Sequence, residues 1–207
     1  MSTPQMGSAL VVAVLALTGC SGSTAPVATS ETQKAATTAP PEPVTAKTAF
    51  YQMYKSAYAW SSDILPITVE AHALNGMKNE GGKAFAWDAT FGSPSRMQFT
   101  KFTYSVVASP PEIRKGITAA EALPWKGPTP QALTFGSSDF AIDSDDAYKT
   151  AAPKAEAWLA KNPGKNLTEA SMGAASRFPG PVWYFLWGDK KDGFFVLVSA
   201  TTGKALK

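Results

Sequence analysis

One cysteine and one histidine in 207 residues bound the chemistry before any element is assigned. A lone Cys closes no internal disulfide and supplies a single thiolate, too few for a multi-Cys zinc site. The lone imidazole, His72, is the one position for a Ser-His-acid mechanism, which needs an activated hydroxyl beside it. No Gly-x-Ser-x-Gly elbow offers that hydroxyl. His72 instead alternates with Thr68 and Glu70 on what reads as the solvent face of a strand. Asp143, Asp145 and Asp146 lack the glycine and closing glutamate of a calcium loop. They sit as acids do at the positive end of a helix. A glycosidase's carboxylate pair is defined by distance in space, and no pair stands out along the chain. These residues specify no metal, no cofactor and no catalytic centre, and the expectation is a protein that is not an enzyme.

Cys20 carries the one specific signal. Ala9 to Leu17 is a run of nine apolar residues without a charge. It is far short of the ~20 residues a spanning helix needs and fits the apolar core of a secretory signal, typically ~7–15 residues. It ends in Leu17-Thr18-Gly19-Cys20. This resembles the lipobox of bacterial lipoproteins, although Met1 to Ser8 contains no Lys or Arg. The resemblance implies a signal peptide over 1–19, a diacylglyceryl group on Cys20, and Cys20 as the first mature residue. One acyl chain binds a bilayer only marginally, whereas two or three hold it. Ser21 stands where an inner-membrane retention Asp would. The implied location is therefore the outer membrane facing the periplasm in a Gram-negative cell, and the extracellular face of the membrane otherwise.

The segment after the cysteine, 20–45, is built largely from Ser, Thr, Ala and Pro and has no aromatic residue. It cannot bury enough apolar area to offset its ordering entropy and reads as a disordered tether, stiffened near Pro40-Pro41-Glu42-Pro43. All eleven Phe, six Trp and six Tyr lie between Phe50 and Phe195, which places the folded region at 46–207. A formal net charge of +3 gives no concentrated basic face, so no nucleic-acid partner is expected.

The folded region divides at 135. In the first half, 46–135, Phe50, Met53, Tyr54 and Ala57 have helical spacing, with Thr45 or Thr48 as N-cap. Pro66 ends the pattern. Ile67 to Ala73 and Phe85 to Phe91 alternate as strands. Arg96 to Val107 is a third strand in which Phe99 and Phe102 fall out of phase, which predicts a bulge or burial on both faces. Ala108 to Gly136 reads as a connection containing a short helical turn at Ile117 to Leu123. In the second half, 136–207, Asp143 to Asp146 starts a helix that Pro153 would kink or divide. Leu167 to Ala175 is a strand, and Val182 to Trp187 pairs with Phe194 to Ala200 across a charged hairpin tip. The two halves share the order helix, strand, strand, strand. Asp88-Ala89-Thr90-Phe91-Gly92 also resembles Ser199-Ala200-Thr201-Thr202-Gly203, which points to duplication.

Residues Ile142 to Leu206 resemble a PepSY-type domain. The likeness is carried by Ile142-Asp143-Ser144-Asp145-Asp146-Ala147, Pro181-Val182-Trp183-Tyr184 and Val198-Ser199-Ala200-Thr201-Thr202-Gly203-Lys204. Ser199 replaces an Asp common in the last motif. The resemblance implies an α+β fold, a helix packed on an antiparallel sheet in cystatin-like fashion, present as two tandem repeats with the first more degenerate. It implies no catalytic residues. The functional expectation is a lipid-anchored binding or modulatory module of the cell envelope. Its partners would be the membrane, through Cys20, and an envelope protein or peptide, with a peptidase as one candidate. An envelope hydrolase and a carrier of an apolar small molecule are the alternatives.

Overall fold

The computed structural model describes residues 40–111 and 113–206. The expected signal peptide, Cys20 and most of the tether lie outside the described residues. Two short segments, β1 (Val44–Thr45) and β3 (Lys83–Ala84), pair antiparallel, so the folded unit takes in two residues that the sequence reading assigns to the tether. Helix α1 (Ala46–Trp60) starts at Thr45, whose hydroxyl accepts the Thr48 amide. It buries Ala46, Ala49, Phe50, Met53 and Ala57, one stripe at helical spacing. Strands β2 (Leu65–Ala71), β4 (Ala86–Ser93) and β5 (Gln98–Ser105) follow as an antiparallel meander.

Two expectations for this half are corrected. β4 and β5 pair without a break from Ala86↔Ser105 to Ser93↔Gln98, so β5 has no bulge there. Phe102 lies in the core beneath α1, and Phe99, on the opposite face, is half-buried with its backbone paired to Leu123 at the sheet's edge. Nor is there a helical turn at Ile117 to Leu123. That stretch forms most of β6 (Gly116–Ala119) and the first residue of β7 (Leu123–Pro124), both paired with β5. Its apolar residues are mostly alanines, and its two large ones, Ile117 and Leu123, stay exposed, so a helix there would bury little, while the open edge of β5 offers ladder partners to any extended chain.

The second half opens with α2 (Ser144–Lys161), which runs through Pro153 as one helix. Pro153 and Lys149 are both exposed. The carbonyl that loses its intrahelical donor therefore faces water, and the helix is not divided. Strands β8 (Leu167–Gly173), β9 (Val182–Trp187) and β10 (Phe194–Ser199) complete a second meander. The main sheet has the order β10-β9-β8-β2-β4-β5-β6. Its two meanders join where β2 and β8 pair antiparallel, Val69 opposite Met172. The fold is α+β, with a mostly antiparallel sheet carrying both helices on one face, α1 over β2, β4 and β5 and α2 over β9 and β10.

Corresponding positions of the two halves do corresponding work. Ala46, Ala49, Met53 and Ala57 of α1 are buried, as are Ser144, Ala147, Ala151 and Ala155, each 98 residues on in α2. Trp87 in β4 donates its indole N–H to Val44 O at 2.9 Å, and Trp183 in β9 donates to Ile142 O at 3.0 Å. Each acceptor immediately precedes a helix N-cap, Thr45 or Asp143. The two indoles meet edge to face, their centroids 6.4 Å apart. The likeness between Asp88–Gly92 and Ser199–Gly203 does not belong to this set. The first lies in β4, the second strand of its meander, and the second at the end of β10, the third.

The helices also meet at their N-termini. Ser144 Oγ accepts the Ala46 amide, and Asp143 Oδ1 accepts the amides of Lys47 and Ser144, at 2.7–2.9 Å. One carboxylate thus serves two helix starts, where donors lack intrahelical partners and the macrodipoles are positive.

Candidate functional site

The face of the sheet away from the helices is where chemistry-bearing side chains collect. One row crosses it in register: Thr118, Thr103, Asp88, Glu70, Ser171, Tyr184 and Leu197. Its β4–β5 end is polar and its β9–β10 end is apolar.

At the polar end Asp88 is buried and fully partnered. Its Oδ2 accepts from His72 Nδ1 at 2.9 Å and from Lys101 Nζ at 3.0 Å, and its Oδ1 from the Thr103 hydroxyl. A carboxylate only accepts, so the proton between Asp88 and His72 sits on Nδ1 and the free tautomer exposes Nε2. That nitrogen makes no hydrogen bond to a described residue. A His-Asp pair without a hydroxyl or thiol on the far ring nitrogen lacks the nucleophile of a triad. His72, Thr68 and Glu70, expected on a solvent face, do share the helix-free face, but each is half-buried there. Glu70 stands directly opposite Asp88. Burial raises its carboxyl above the ordinary 4.5, reinforced by the charges of Asp88 and Glu169 and opposed by Lys101 and His72. The cluster clasps three neighbouring strands where no helix covers them.

A second serine-rich spot resolves the same way. Asp63 accepts from the hydroxyls of Ser61 and Ser93 at 2.6 Å and from the Ser95 amide at 2.7 Å. Those bonds, the Ser61 hydroxyl first, hold its carboxyl far below the usual carboxylate range. Ser93 is fully buried and its proton points at a carboxylate too acidic to act as a base at neutral pH. The arrangement ties the end of α1 to the β4–β5 turn. Asp143, Asp145 and Asp146 open α2, as their types predict. Among the described residues no cluster of three or more His, Cys, Asp or Glu side chains is placed to hold a metal ion. No described helix is long and apolar enough to cross a membrane.

At the apolar end, Tyr184 and Phe195 stack with centroids 5.7 Å apart, and Phe195 is 56% exposed. Burial, and then the charge of Glu169, pushes the Tyr184 phenol above its ordinary value. A groove of about 610 Å³ runs along β10, bordered by Lys154 of α2 on one side and by Arg177 and Phe178 of the β8–β9 loop on the other. A shallower cavity of about 390 Å³ continues across Tyr184 to Thr68 and Ser171. Another, of about 630 Å³, opens beside α2 between Tyr148, Leu159 and Trp187 and the polar residues Lys78, Glu80 and Asn166. Its walls come from α2, from Leu167 and Thr168 of β8 and from Trp187 of β9, but half of its lining residues are polar, unlike the dry pocket an apolar cargo requires. Sequence reasoning missed Asp88, Lys101 and the groove cations. The signal for Asp88 is present, a single charge inside the apolar run Phe85 to Phe91.

No family model and no curated protein matches the chain. Among solved structures, a protein described as a lipoprotein of Clostridium difficile 630 overlays at 10% identity with a TM-score of 0.44, covering 77% of this chain and 90% of that one. An overlay of that extent does not establish a common fold.

Proposed function

We propose that this chain is a bacterial envelope lipoprotein, anchored through a lipid on Cys20, that binds another envelope component and performs no chemistry itself. Its scaffold is two PepSY-type units related by duplication. The observation that carries the binding role is the division of the helix-free face. Asp88, His72 and Lys101 are bonded to one another, while its β9–β10 end presents Phe195, exposed and stacked on Tyr184, beside a groove. Aromatic groups left in water at a strand edge are characteristic of interaction surfaces. The anchor is supported by Leu17-Thr18-Gly19-Cys20 after an apolar run. The duplication is supported by the paired indole bonds and the four matching buried helix positions. With an Asp at the place of Ser199, the carboxylate would accept the amides of the closing turn. Here Ser199 Oγ accepts those of Thr201 and Thr202.

Two measurements test this. Metabolic labelling with an alkyne palmitate should mark the protein and fail to mark Cys20→Ala; label retained by that variant would exclude the anchor. A photo-crosslinking residue at Tyr184 should give discrete adducts in intact envelopes, and one at Tyr58, exposed on α1, should not. Adducts confined to Tyr58, or none at either site, would remove the binding role from this face.

A further inference from the structure

We infer that the edge of β10 left uncovered by the described residues takes an extended, acidic segment of a partner protein as an added strand. This rests on the binding role above and names its site and ligand class. In the first meander the outer edge of β5 is occupied. Gly116–Ala119 pairs with it, and the Ala120 amide continues the ladder to Lys101 O at 2.8 Å. β10 is the corresponding strand of the second meander. Val196 pairs with Phe185 two residues past Trp183, as Phe102 pairs with Ala89 two residues past Trp87. Phe195 therefore occupies the place of Lys101. Among the described residues the cover for β10 is confined to one end. Ser199 N donates to Lys204 O, and Leu206 N donates to Leu197 O at 2.8 Å. In an antiparallel ladder alternate residues turn both N–H and C=O to the same side. With Leu197 and Ser199 turned outward, the N–H and C=O of Phe195 also point away from β9, beyond the last of those bonds. The fold thus already shows what an edge at this place accepts.

Composition and charge identify the occupant. Phe194–Ser199 reads Phe-Phe-Val-Leu-Val-Ser, with no Lys, Pro or charge of the kind that normally blunts an edge. Its groove is bordered by Lys154 and Arg177, contains no acidic side chain, and neither cation has a carboxylate partner among the described residues. A strand laid there brings one alternate set of side chains onto Phe195 and Tyr184, on the face that Arg177 borders, and turns the other set, its acids, toward Lys154, the division of labour usual in strand addition. A second copy of this chain fits less well. Two β10 edges paired about a twofold axis would bring like-charged borders together.

The test uses the full chain purified in mild detergent and three labelled synthetic decapeptides. One alternates Glu with Val and Tyr, one has Lys for Glu, and one is the first with Pro at alternate positions. Fluorescence anisotropy should show saturable binding of the Glu peptide, weaker binding of the Lys peptide by about tenfold or more, and none of the Pro peptide. The double variant Lys154→Glu, Arg177→Glu should reverse the charge preference. Both side chains are exposed, so the fold should survive, which circular dichroism checks. Amide exchange at Phe195, whose N–H faces the outer edge, should slow with the Glu peptide bound. No saturable binding, equal binding of the Glu and Lys peptides, protection confined to β6, or a dimer in sizing experiments would each overturn the inference. Crosslinks at Tyr184 that persist when the peptides fail would leave the binding role standing and remove only this ligand class.

Discussion

Gly82 and Glu70 show how single residues are constrained. Gly82 has φ of +76°, and a Cβ there would run into the backbone of Ser144 and Asp145. Backbone cannot yield as a flexible side chain does, so Gly82→Ala combines a disfavoured conformation with a clash. Its expected cost is about 3 kcal/mol, read as a lowered urea midpoint, whereas Gly81→Ala, with open space around it, should cost about 1 kcal/mol. Equal costs at the two positions would show that the contact with α2 does not form. Glu70 offers a pH test. Its folded pKa lies above the ordinary 4.5 because of burial and of Asp88, so its stabilising share is present below that value and is lost as pH rises through the folded pKa. Glu70→Gln should therefore melt higher than the parent at pH 7, with the gain disappearing near pH 4. The turn at Asn79-Glu80-Gly81-Gly82 is legible in the sequence, as is the face of His72. Which of the two glycines is indispensable is not, because the atom it must avoid is over sixty residues away. Asp88 fails for the same reason: its partners come from two different strands.

Elements were most legible where their signals are local. Both helix starts are readable, from Thr45 or Thr48 and from the acids at Asp143 to Asp146, and the β9–β10 hairpin follows from two apolar runs around a charged tip. β6 was not legible, because four residues with one large apolar side chain become a strand only when a neighbour's edge is present. The junction of the helix starts is likewise a tertiary fact written in local residues. Asp143 looks like an ordinary cap, yet its carboxylate also accepts the Lys47 amide from α1. Asp143→Ala should thus exceed a single lost cap and cost about 2–3 kcal/mol, a fall of several degrees in Tm for a chain of this size. Asp143→Asn keeps an acceptor and should recover most of it. Slowed exchange at Lys47 in the parent, lost in the Ala variant while the amides in the middle of α1 stay protected, would locate the effect at the junction. A Tm change no larger than that of Thr45→Ala would mean the carboxylate serves one helix only.

The two meanders share one sheet and one core. β2 pairs with β8, and Phe140, from the segment joining the halves, packs edge to face on both Phe50 and Trp183. The sequence discloses the repeated order of elements but not this arrangement, since neither the β2–β8 register nor the meeting of Trp87 with Trp183 has a local signature. A sequence reader sees two units in series, whereas the sheet joins them side by side through their first strands. That arrangement predicts cooperative unfolding, and the indole pair can measure it. Trp87→Phe and Trp183→Phe each remove one N–H bond to a backbone carbonyl and part of a ring contact. If the halves folded independently, the two losses would add. With the rings in edge-to-face contact across the join, the double variant should lose less than the sum, by about 0.5–1.5 kcal/mol. Urea transitions followed by circular dichroism and by tryptophan fluorescence should coincide in the parent. A coupling energy of zero together with two separated transitions would show that the join is a contact between finished domains rather than the middle of a single core.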